Sequence, residues 1–147
     1  MLPSKRDKYL RKTYGITLAE YDAMLAAQGG GCAICGKPAT GRPLHVDHDH
    51  KVAKMKLVTF KDDGKWFVYP AELVNVTAAV FWAPLRSQAI KKARLYLLRR
   101  SVRGLLCWAD NSGLRKYLDN VERLFNAAAY LAQYKQKLQK EHNVQVN

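Results

Sequence analysis

Along the chain, apolar positions follow helical spacing near both ends and a mixed pattern between them. In residues 4–14, Tyr9, Leu10 and Tyr14 anchor an otherwise charged, helix-tolerant segment that Gly15 breaks. Thr17-Leu-Ala-Glu20 has the form of a capping box, with Thr17 as N-cap and Glu20 at the third helical position. Leu18, Tyr21, Met24 and Leu25 then recur at three- or four-residue spacing, which predicts a short amphipathic helix over 18–28 stopped by Gly29-Gly30-Gly31. Residues 56–60 and 65–69 flank Asp62-Asp63-Gly64 and predict a β-hairpin with a glycine turn. Residues 72–82 are apolar and suit strand or helix.

Pro84 opens a predicted helix over 85–101, with Leu85, Ala89, Leu95 and Leu98 turned to a core. Trp66, Phe67, Tyr69, Phe81 and Trp82 read as core residues rather than base-stacking platforms. Residues 113–140 predict a long helix, with Leu114, Leu118, Val121, Leu124, Phe125, Ala128, Leu131 and Leu138 at spacings of three, four and seven. A helix of that length has no core of its own and could pack on the N-terminal helices of its own subunit or on those of a second one. Residues 142–147 are expected to fray.

Charge narrows the choice of partner. Lysine and arginine outnumber aspartate and glutamate 25 to 12, for a formal net charge of +13, which suits nucleic acid or an anionic membrane. No apolar run approaches a membrane-spanning length and Met1-Leu-Pro-Ser-Lys-Arg lacks a signal-peptide core, so DNA or RNA is the favoured partner and no membrane is expected. Three cysteines fit a reducing cytoplasm better than a disulfide scaffold. Between Arg86 and Arg103 stand Arg86, Lys91, Lys92, Arg94, Arg99, Arg100 and Arg103 with no acidic residue. Solvated helix faces mix signs, and a one-signed helix repels itself unless an anion compensates it. Lys91, Lys92, Arg94, Arg99, Arg100 and Arg103 are therefore expected to contact phosphates.

The candidate chemistry lies in residues 31–50. Cys32 and Cys35 form a Cys-x-x-Cys knuckle beside glycines, able to close around one zinc ion or to act as a redox pair. His45-Val-Asp47-His48-Asp49-His50 follows and concentrates general bases and hard oxygen ligands, unless it is merely a solvated loop. Metal-assisted hydrolysis unites the two halves, provided the rest of the chain supplies the missing zinc ligands.

The stretch from Tyr14-Gly-Ile-Thr through Glu20-Tyr-Asp-Ala-Met-Leu to Cys32-Ala-Ile-Cys35-Gly, followed by Leu44-His-Val-Asp-His-Asp-His50, resembles the phage recombination endonuclease VII family of HNH, or ββα-metal, nucleases. A second block, Val102-Arg-Gly-Leu-Leu-Cys107-Trp-Ala-Asp110-Asn111, resembles the other half of that signature. Together they cover roughly residues 14–50 and 102–118. There are two departures. Asp110 stands where family members generally carry a fourth cysteine, and residues 51–101 replace a short connection. A site of Cys32, Cys35, Cys107 and Asp110 is chemically acceptable for zinc, though harder than four thiolates.

The resemblance implies catalytic roles for His48, Asp47, Asn111 and His50. His48 would be the general base, Asp47 and Asn111 the ligands of a catalytic magnesium or manganese ion, and His50 a phosphate-binding or neighbouring group. His45 receives no role. It implies a structural zinc, branched DNA such as Holliday junctions as substrate, a homodimer, and work in the host cytoplasm. The runner-up readings are an HNH nicking or homing-type endonuclease on linear duplex and a non-catalytic zinc module that binds DNA. The expected fold is α+β and mainly helical. N-terminal helices occupy 1–30, a zinc-pinned ββα unit 31–118 with an inserted hairpin and basic helix at 51–101, and a dimerising helix 119–147. Adjacent strand residues face opposite ways, so Asp47 and His48 can address one phosphate only if the strand ends, bulges or turns there.

Overall fold

The computed structural model describes residues 3–71 and 80–145, and of 137, 138 and 140–145 the backbone alone. The chain divides into two compact units, Met1–Cys107 and Trp108–Asn147. In the first, α1 (Lys5–Tyr14) is capped by Ser4, whose hydroxyl accepts from the Asp7 N–H, and ends at Gly15 with φ 72°. A side chain there would both strain the backbone and meet Leu95 and Arg99, so glycine is required. Helix α2 (Leu18–Ala27) carries both hydrogen bonds of the Thr17–Glu20 capping box. Asp7 joins the two helices, one carboxylate oxygen accepting from the Leu18 N–H at 2.8 Å and the other from Arg11 Nε at 2.6 Å.

Strand β1 (His45–His48) pairs antiparallel with β5 (Val102–Leu106) in a two-stranded ribbon. The short α3 (His50–Ala53) follows β1, with Asp49 as its N-cap. Between α3 and β5 lies the insertion: β2 (Leu57–Asp62), β3 (Lys65–Pro70), β4 (Phe81–Ala83) and α4 (Arg86–Ser101). The hairpin appears where alternation predicted it, its Asp63-Gly64 turn having positive φ at both positions, as the strand twist demands. Of the ambiguous 72–82 segment, 72–79 lies outside the described residues, while Phe81–Ala83 forms the edge strand of a β2-β3-β4 sheet.

Helix α4 packs on one face of that sheet. Val68, Ala83, Ala89 and Ala93 are almost fully buried, with Leu57, Trp66, Phe81 and Ile90 around them. The sequence reading of α4 needs correction here. Leu85 and Leu95 are 57% and 46% exposed, and the buried stripe is Ala89, Ala93, Leu97 and Ser101 at four-residue spacing. Small alanines at 89 and 93 let helix and sheet approach closely, and the buried leucine of the stripe is Leu97 rather than Leu85 or Leu95. Tyr9, expected as an anchor of α1, is 56% exposed, and Leu10 carries that role.

The second unit holds α5 (Trp108–Lys116) and α6 (Val121–Gln145). The single helix expected over 113–140 is thus broken. Leu118 and Asp119 have φ of 58° and 52°, and α5 closes with Leu118 N–H to the Arg115 carbonyl and Asp119 N–H to that of Leu114. That pairing is a Schellman ending with a non-glycine residue in the left-handed position. Asn120 then starts α6, its side-chain oxygen accepting from the Arg123 N–H at 2.8 Å. Helix α6 continues to Gln145, through most of the terminus expected to fray.

Candidate metal centre and active site

Residues 28–38 form a tight knuckle. The Cys32 N–H donates to the Lys37 carbonyl and the Gly36 N–H to that of Cys32, both at 2.9 Å, and Gly31 bridges to Pro38. A Cβ on Gly31 would overlap the Gly36 carbonyl, so the loop closes only on glycine. The Ala33 N–H donates to the Leu105 carbonyl at 3.0 Å, tying the knuckle to β5. Ligand atoms of Cys32, Cys35, Cys107 and Asp110 all lie within 4.8 Å of one another, and the sulfurs of Cys35 and Cys107 are 3.9 Å apart. A tetrahedral zinc with bonds of ~2.3 Å sets its sulfurs roughly 3.8 Å apart, so the donor set and spacing fit zinc. Aspartate takes the fourth place in a group that can hold a metal ion.

The ribbon is irregular at its other end. His45, Val46 and Asp47 pair with Leu106, Leu105 and Gly104, but His48 pairs with Val102, so Arg103 is the extra residue of a bulge between Asp47 and His48. A register shift at this point is what a shared role of Asp47 and His48 would need. The Arg103 guanidinium donates from two nitrogens to both Asp47 oxygens, at 2.7 and 2.9 Å. Asp47 is buried, and both its oxygens are held in orientation by that guanidinium.

His48 is half-buried, with the Tyr14 ring edge-on at 5.3 Å and the His50 ring at 4.4 Å. Burial, and next the charge of His50, hold its pKa below the ordinary histidine value. Burial also pushes the Tyr14 phenol up to about 12, assisted by its hydrogen bond with Tyr9. Asp49 keeps a lowered pKa because it accepts the Val52 and Lys51 N–H groups as cap of α3. His45 and His50 are exposed, and Asn111 sits half-buried in α5 directly after Asp110.

With that geometry in place, comparison with known proteins is informative. The family described as recombination endonuclease VII matches residues 7–133. This chain belongs to that family. The Gene 59 protein of Mycobacterium phage D29 is 55% identical over 40 residues, which make up 26% of this chain and 24% of that protein. The match thus spans about a quarter of that relative's length. No solved structure matches.

Within this recombination endonuclease VII family member, several of the basic residues are already engaged. Arg94 donates to the Met55 carbonyl at 2.8 Å, Arg99 pairs with Glu20, and Arg103 holds Asp47. Arg100 reaches the Tyr96 hydroxyl at 3.2 Å, and Lys92 donates to the Trp82 carbonyl at 3.1 Å. Lys91 is exposed. No described helix is long and apolar enough to cross a membrane.

Sequence reasoning passed over Gln28, which ends α2. Its Nε2 donates to the carbonyls of Gly31 and Leu105, each at 2.9 Å, and its Oε1 accepts from the Leu105 N–H at 2.8 Å. One amide thus sutures knuckle to ribbon. The only sequence signal was a glutamine at a helix end directly before three glycines.

Proposed function

We propose that this chain is a metal-dependent endonuclease of the HNH class that nicks branched DNA as a junction resolvase. The observation that carries the reading is the bulge between Asp47 and His48. There regular pairing breaks down and β1 ends at His48, so a buried carboxylate and a half-buried imidazole, adjacent in sequence, stand at the end of the ribbon rather than within it. Family membership supplies the reaction class, and the +13 charge suits the substrate.

In this reading His48 takes a proton from the attacking water. Its lowered pKa keeps it neutral, and so able to accept, at neutral pH. The neighbouring rings of Tyr14 and His50 limit how the imidazole can turn. Asp47 and Asn111 would hold magnesium or manganese, which neutralises charge on the leaving 3′ oxygen. Arg103 fixes the Asp47 carboxylate in orientation, and His50, exposed beside His48, meets the phosphate. Cys32, Cys35, Cys107 and Asp110 would hold a structural zinc. Lys91, Lys92, Arg94, Arg99, Arg100 and Arg103 remain the proposed DNA contacts, and Lys91, Lys92, Arg99 and Arg100 are exposed.

A homodimer accounts for two nicks on opposed strands. It is supported by the apolar residues of α6, of which Val121, Phe125, Leu131 and Tyr134 are more than half exposed. The test offers the purified protein a four-way junction and the matching linear duplexes, with and without magnesium. Paired, magnesium-dependent nicks in the junction are expected. Equal cutting of linear duplex would point to a nicking or homing-type enzyme, and binding without cutting to a non-catalytic module.

A further inference from the structure

The β2-β3-β4 sheet has a second face, away from α4. The register pairs Phe60 with Phe67 and Phe67 with Trp82, which places the three on one side of the sheet, with Tyr69 and Lys65 two residues either side of Phe67. Val68, Ala83 and the α4 alanines form the core on the opposite side. The second face is aromatic and open. Phe60 and Trp82 are 46% and 51% exposed. The Phe60 and Phe67 rings stack at 5.1 Å and 11°, and the Tyr69 ring stands 6.4 Å from Phe60. Two ammonium groups approach the Trp82 ring, Lys65 at 5.3 Å and Lys92 at 5.6 Å.

Aromatic rings of this kind serve a core when buried. Here the rings expected in a core lie on both faces, and only Trp66 and Phe81 belong to the α4 side. Exposed rings on a flat sheet, bordered by lysines on a chain of +13, match what an unpaired nucleic-acid strand offers: flat bases and a polyanionic backbone. From this face we infer a binding site for unpaired DNA bases on the inserted sheet, separate from the Asp47–His48 site. Bases stack on Phe60 and Trp82, and Lys65 and Lys92 meet the adjacent phosphates. The inference rests on the nuclease reading and deepens it, because it names the strand character that the insertion recognises.

The test measures binding of the full chain to a fluorescent oligothymidylate and to an abasic oligomer of equal length, without added magnesium. Stacking predicts that the wild type prefers the base-bearing strand. Phe60→Ala and Trp82→Ala should each weaken thymidylate binding by ~5- to 100-fold, the range that one lost stacking ring costs. Both should leave abasic binding, the slope of log K against log salt, and the melting temperature in place. Trp82→Phe should retain the preference, since a π-face remains. Equal wild-type affinity for the two oligomers would overturn the platform yet leave the nuclease reading standing. Alanine variants that keep the preference would also overturn it, as would alanine variants that turn a dimer into a monomer by light scattering. If neither oligomer binds, the platform fails, and junction cleavage then decides separately whether the nuclease reading fails with it.

Discussion

At the His45 end of the β1–β5 ribbon the register is unbroken, and the neighbouring thiols are held by a closed network of backbone and Gln28 hydrogen bonds. Three residues on, at His48, the register slips by one, and the side chains are held by an ion pair and ring contacts instead. Backbone-to-backbone bonds fix a loop without regard to side chains, which suits a group of side chains that could hold a metal ion. Side-chain contacts leave an imidazole and a carboxylate oriented yet chemically available. One short ribbon therefore carries a rigid end and, under the proposed function, a reactive end, and each should be breakable without the other.

The largest expected effect is at the reactive end. His48→Ala should lower the nicking rate by ~10²–10⁴-fold, the range for loss of a general base, while DNA affinity and zinc content stay at wild-type values. A purified variant with full activity would remove His48 from that role, and lost zinc would show that the two ends are not independent.

Next comes the rigid end. Asp110→Ala leaves three thiolates around any bound ion. Zinc affinity should fall by at least ~10-fold, the lower end of what even outer-shell losses cost, with a lower melting temperature because metal binding is coupled to folding. Asp110→Cys should retain the metal. Zinc per chain and nicking rate decide between roles. If Asp110→Ala keeps zinc and loses activity, Asp110 serves the reacting centre, and unchanged zinc and activity would make it a bystander.

Gln28 probes the suture between them. Gln28→Ala removes the amide partner of the Gly31 carbonyl and of the Leu105 N–H, while the Leu105 carbonyl keeps the Ala33 N–H. The expected cost is ~1–3 kcal/mol in urea unfolding, the penalty for unsatisfied polar groups. A loss within error would mean that water replaces the amide and that the rigid end holds by its metal alone.

The smallest effect lies outside the ribbon, in the helix pair α1 and α2. The Arg11 hydrogen bond, then the Leu18 N–H, lower the pKa of Asp7 in the folded protein. Its contribution is therefore present above the ordinary carboxylate value and is lost as pH falls through the folded value. Melting curves should show acid destabilisation that begins below about pH 4, the unfolded carboxylate range. Asp7→Asn should be less stable at neutral pH and shallower in its acid loss. An unaltered profile would leave Glu20 and Asp49, whose values are also lowered, as the acid-sensitive caps.

Much of this protein is local in origin and was legible in its sequence. The Thr17–Glu20 box, the Asp63-Gly64 turn and the knuckle between Gly31 and Pro38 are decided by residues within a few positions of one another. A joint role for Asp47 and His48 at one phosphate would need an irregularity there, since strand neighbours cannot share a face, and the register does slip at that point. Asp110 could be named from its spacing to Cys107. Tertiary structure decided what depends on distant partners. Spacing placed Ala89 in the core but could not tell that Ala93 and Leu97, rather than Leu85 and Leu95, complete the buried stripe of α4, because that turns on how helix and sheet approach. Nor could it tell that Arg103 is the bulged residue and turns onto Asp47, or that Gln28 bonds Leu105 across 77 positions. The aromatic hairpin read as core because a sequence gives a strand's alternation but not which of its faces another element will cover.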